Sequence, residues 1–75
     1  MSKNLTIDEI SVLLDNKNYW LRTCVDKMPT LTRDEKSSLY NHLTILRSHI
    51  NVLQNMLNIA KSNGSAPRDM IYWEP

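Results

Sequence analysis

At 75 residues the chain holds one domain at most, and a chain this short hides only about 60% of the surface its unfolded form exposes, so it needs added support. Its lone cysteine, Cys24, excludes an internal disulfide and suits a reducing, cytoplasmic setting, where the thiol serves as a small apolar side chain. A formal net charge of +1 excludes a strongly basic nucleic-acid binder, and no apolar run approaches the ~20 residues that span a bilayer, so no membrane segment is expected.

In chain order, Lys3 is followed by no apolar run, so no secretory leader is expected. Thr6-Ile7-Asp8-Glu9 then fits a capping box, with Leu5 and Ile10 placed as a hydrophobic staple and two carboxylates facing the positive end of the helix dipole. A helix is predicted over about 7–28, stopped by Pro29, which pushes the preceding residue away from helical geometry. Its core stripe is Ile7, Ile10, Leu14, Lys17, Leu21, Cys24 and Met28, in steps of three and four; only Lys17 interrupts it, and its stem can still pack. Asp15 and Asp26 on this helix have no evident partner. Tyr19, Trp20 and Arg22 form the densest aromatic and cationic group. Trp20 flanks the stripe beside Leu13, and Tyr19 points away from the core near Val12. These three residues are the candidate binding group on the first helix, suited to a partner side chain or a flat anionic ligand.

A second capping box, Thr32-Arg33-Asp34-Glu35, opens a helix predicted over about 33–63 and closed by Asn63-Gly64. The short Pro29-Thr30-Leu31 link favours an antiparallel neighbour. Leu39, Leu43, Leu46, Ile50, Leu53, Leu57 and Ala60 make an unbroken coiled-coil-type seam. A second stripe, Ile45, His49, Val52, Met56 and Ile59, is centred roughly 110° away and is the expected oligomer interface, because one antiparallel neighbour covers only one stripe. This helix also outruns the first by about ten residues, leaving roughly 15 Å of apolar overhang. From Glu35 to Asp69 no acid intervenes, while Lys36, Arg47, Lys61 and Arg68 occur there, so the surface tolerates an anion or an acidic partner.

Residues 1–64 thus read as an all-α antiparallel helical hairpin and residues 65–75 as an apolar C-terminal tail, the whole assembling as a helical-bundle dimer or higher oligomer. Ser65-Ala66-Pro67 marks a turn, and Met70, Ile71, Tyr72 and Trp73 are too apolar for a disordered end. The tail either folds back over the overhang or docks on a partner, with Arg68, Tyr72 and Trp73 as the binding residues.

Catalysis and cofactors find little support. His42 and His49 lie seven residues apart, about 10 Å along a helix, too far for one metal ion. The acidic pairs Asp8-Glu9 and Asp34-Glu35 serve as helix caps, and the one glycine excludes a glycine-rich phosphate loop. Neither a cofactor, a metal nor an enzymatic activity is expected.

The reading that remains is a non-enzymatic binding protein that docks on another macromolecule, with a protein as partner, and inhibits or modulates it. In size and asparagine-rich helical style the chain is similar to the accessory proteins that bacteriophages and mobile elements use against host machinery. The alternative is a homo-oligomer that sequesters a small anionic ligand, such as a nucleotide signal, between subunits. A dimer of hairpins also resembles, in architecture, the small plasmid protein that grips paired RNA loops, although the few scattered basic residues disfavour nucleic acid.

Overall fold

The computed structural model describes residues 4–73; Lys3 and the end of the tail, residues 74–75, lie outside them. The chain runs as β1 (Asn4–Thr6), α1 (Ile7–Lys27), a 3-10 turn (Met28–Thr30), α2 (Arg33–Asn63), β2 (Ser65–Pro67) and a second 3-10 turn (Arg68–Met70). The two long helices pack as an antiparallel hairpin, so the all-α architecture read from the sequence is the one observed.

Local chemistry sets the helix ends. The Glu9 N–H donates to Thr6 Oγ1 at 3.2 Å, and the Thr6 N–H donates to Glu9 Oε1 at 3.2 Å. The same reciprocal pair forms at α2, where the Glu35 N–H donates to Thr32 Oγ1 at 3.3 Å and the Thr32 N–H to Glu35 Oε1 at 3.1 Å. Each box satisfies amides that the helix itself leaves unpaired, worth about 1 kcal/mol. The hydrogen bonds from Thr32 hold the Glu35 carboxyl below its ordinary pKa. At the far end of α2, Gly64 sits at φ 89°, a left-handed conformation that side chains resist, and its N–H donates to the Ala60 carbonyl.

Length decides the rest. α2 has 31 residues and α1 has 21, so α2 is roughly 15 Å the longer. Its far end is covered by the start of α1 together with the chain's own ends. β1 and β2 pair antiparallel, with Leu5 opposite Ala66, and Asn4 Nδ2 donates to Ser65 Oγ at 3.1 Å. Leu5, Ala66 and Ile71 bury themselves in one cluster with Ile10, Leu53, Met56 and Ala60, and Trp73 packs against it. A second cluster at the loop end holds Cys24, Leu43 and Leu46, flanked by Leu21, Met28 and Leu39. The apolar seam is therefore filled along its length, and its far end is closed by chain termini together with the start of α1.

The molecule is elongated and thin, 45 × 21 × 14 Å across its Cα atoms, with a radius of gyration of 14.5 Å. A compact chain of this length has a radius near ~11 Å. It exposes 5562 Å², whereas a compact monomer of this mass exposes about 4,800 Å².

Because the tail contributes to the core, Ile71→Ala should lower unfolding free energy by about 2–4 kcal/mol, comparable to Leu53→Ala. Urea titration followed by circular dichroism reads both; an Ile71→Ala midpoint equal to that of the parent chain would show that the tail carries no load.

Candidate functional site

Beyond Pro67 the tail turns back along α2, and its last described residues, Tyr72 and Trp73, lie against the middle of that helix. The Trp73 ring stacks on His49 with centroids 3.9 Å apart and planes 19° from parallel. Tyr72 meets His49 edge-on at 5.8 Å, and its hydroxyl shares a 2.6 Å hydrogen bond with Ser48 Oγ. From the other helix, Lys17 Nζ lies 5.4 Å from the Trp73 ring centroid. The one polar residue in the α1 core stripe thus has a reason: its stem follows the seam and its ammonium meets an aromatic face of the tail.

Burial and charge act together on His49. It is 8% exposed, and its Nδ1 has no hydrogen-bond partner among the described residues. Burial, first, and then the charges of Lys17 and His42 push its pKa below the ordinary 6.5. The neutral ring is therefore the folded form.

Of the residues expected to form an oligomer interface, His49 and Met56 are already covered within the chain, and Val52 and Ile59 pack on the same cluster. Part of that cover comes from the chain's own tail, through Trp73 on His49 and Ile71 in the cluster of Met56. Ile45, one turn of α2 from His49, is 52% exposed.

The group on α1 is divided around the helix. Tyr19 and Trp20 touch edge to face at 5.9 Å, and both are more than half exposed. Trp20 lies one turn from Lys17, on the side where the tail docks, because residues three apart share a helix face. Tyr19 and Arg22 instead line a shallow groove on the other side with Asp15, Leu21, Val25 and Asp26. Two carboxylates in that groove oppose an anion beside Arg22. Arg68 lies apart from both, in a surface dimple with Leu5, Glu9 and Leu13.

What the fold does bring together is Tyr72 and Trp73 of the tail, Ser48 and His49 of α2 and Lys17 of α1. Trp20 and Ile45 lie one turn along their helices from Lys17 and His49. Ile45 belonged to a different expectation in the sequence, since nothing there links it to the tail. Cys24 is buried among leucines, and among the described residues no group of three His, Cys, Asp or Glu side chains could hold a metal. Likewise, no described helix is long and apolar enough to cross a membrane. Comparison with protein-family models, curated proteins and solved structures finds no match.

The low pKa of His49 has a consequence for stability. Below about 6.5 the unfolded chain takes up the proton more readily than the folded one, so stability is full above that pH and lost as pH falls. Thermal melts of the parent chain should therefore shift down between pH 7 and pH 5, and His49→Phe, which keeps the stack on Trp73, should flatten that shift. An unchanged slope would show that other groups carry the acid sensitivity.

Proposed function

We propose that this chain is a small, non-catalytic cytoplasmic protein that docks on another protein through the aromatic patch of Trp20, Ile45, Tyr72 and Trp73, and thereby inhibits or modulates it. The observation that carries this reading is the half-exposed Trp20 and Ile45, each one turn from a residue that holds Trp73, together with the exposed Tyr72. Trp20 is 51%, Ile45 52% and Tyr72 62% exposed. Aromatic side chains of this kind supply most of the binding energy in protein interfaces, because they desolvate a large area at little entropic cost. The patch is also mounted firmly. Trp73 is held by His49 and Lys17, and Tyr72 by Ser48, so little ordering is needed on binding.

The patch lies on the hairpin's tail side, where the groove between α1 and α2 continues toward the loop past His42, Leu39 and Lys27. A partner presenting a short apolar segment would extend the line that the tail already occupies. The chain acts in this reading as a dimer or higher oligomer, consistent with its surplus exposed surface. Sequestration of a small anionic ligand is the weaker reading, because Asp15 and Asp26 stand in the groove that holds Arg22.

Trp20→Ala and Ile45→Ser test the patch. Both positions are half exposed, so helicity and melting temperature should stay close to those of the parent. Proteins retained from a lysate by the parent chain but lost at least ~tenfold from both variants would identify the partner. Equal retention by parent and variants would reject the patch.

A further inference from the structure

Two different kinds of contact hold the tail on the hairpin. As far as Ile71 the hold is hydrophobic: Ala66 and Ile71 are buried in one cluster with Leu53, Met56 and Ala60. No titratable group takes part in it. Past Ile71 the hold is aromatic and polar. Trp73 stacks on His49, and the Tyr72 hydroxyl shares a hydrogen bond with Ser48 while most of the Tyr72 side chain stays in water. A single titratable ring, His49, therefore lies under the last described turn of the tail and not under the part that precedes it.

The stack suits a neutral imidazole better than an imidazolium. The two rings are only 19° from parallel, so both nitrogens of His49 point sideways and not into the Trp73 face. A neutral imidazole leaves one nitrogen without a hydrogen, whereas the protonated ring carries a donor on each. His49 Nδ1 is buried with no partner among the described residues, so a donor there goes unmet. The indole face itself attracts a cation, but Lys17 Nζ already lies 5.4 Å from the centroid of that ring. The charges that act on His49 all oppose a further positive one: Lys17 comes from α1 and His42 from its own helix. From the tail, Tyr72 brings a hydroxyl that is engaged with Ser48. An added proton thus sets a cation among cations, and water relieves it only when the covering rings leave.

We propose that Tyr72 and Trp73 form a proton-operated clasp: protonation of His49 lifts them from α2, while Ile71, the β1–β2 pair and the two helices stay in place. Opening bares the His49 side of α2, and closing hides it again. Linkage fixes the direction. The closed clasp binds the proton more weakly than the open one, so it is fully closed above about pH 6.5 and gives way as pH falls. One proton taken up on opening raises the open-to-closed ratio by up to about tenfold per pH unit. The buried Ile71 sets the limit of the movement, because its own contacts do not titrate. The device belongs to the tail and stands whether or not a partner meets the patch.

Trp20 and Trp73 are the two tryptophans, so Trp20→Phe leaves Trp73 as the only indole. In that background, titrated from about pH 8 to about pH 4.5, the Trp73 emission should move to longer wavelength below about pH 6.5 as the ring enters water. Far-UV circular dichroism should hold steady over the same range, since the helices take no part. The His49 ring-proton signal in NMR should titrate within about half a pH unit of the emission change. His49→Phe keeps a ring under Trp73 and removes the proton, so it should abolish the shift. His42→Gln should keep it, and so should Glu74→Gln, which removes the carboxylate next in sequence to Trp73. Emission that stays fixed down to about pH 4.5, or that moves only together with the helical signal, overturns the proposal. A shift that survives in His49→Phe, or is lost in His42→Gln or Glu74→Gln, overturns it too. Separate midpoints for His49 and Trp73 do the same, by a measurement that needs no change at position 49.

Discussion

The structure turns on a mismatch of length. A 31-residue helix packs against one of 21, and Leu53, Met56 and Ala60 near its far end need more cover than Ile10, Leu13 and Leu14 of the shorter helix supply. Burying such side chains is worth about 1.5–3 kcal/mol each, a large share of the stability of a domain this small. The chain answers with both of its ends. β1 and β2 pair across 61 positions of sequence and carry Leu5 and Ala66 onto that far end, and Ile71 seals its side. The hairpin is therefore closed like a loop, with the terminal segments acting as the third element of the core.

That closure makes the surface as well as the core. Once the tail is committed to one side, its aromatic residues are set at fixed positions, Trp73 on His49 and beside Lys17, Tyr72 on Ser48.

Much of this architecture is legible in residues close together in sequence. Both capping boxes, the Pro29 stop and the Gly64 cap are local events, decided by hydrogen bonds within three or four residues, and each forms where the pattern places it. The seam from Leu39 to Ala60 follows from the same helical repeat. The need to cover the second stripe is legible too, since two stripes on one helix cannot share one neighbour. The site is legible only in fragments. Tyr19, Trp20 and Arg22 are adjacent in sequence, yet 100° of helical rotation per residue sends Trp20 to one side of α1 and Arg22 to the other. His49 and Trp73 are 24 positions apart, and only the path of the tail stacks one on the other.

The sequence by itself determined where the helices begin and end, which stripe forms the seam, and that one end of α2 needed shelter, because those properties arise from backbone hydrogen bonding and side-chain repeat within a few residues. Tertiary structure alone decided that the shelter comes from the chain's own ends, which side of the hairpin the tail takes, and which half-exposed side chains therefore gather into a surface. Strands of three residues have no readable repeat, and their pairing depends on contacts that exist only after the two helices have brought distant ends together.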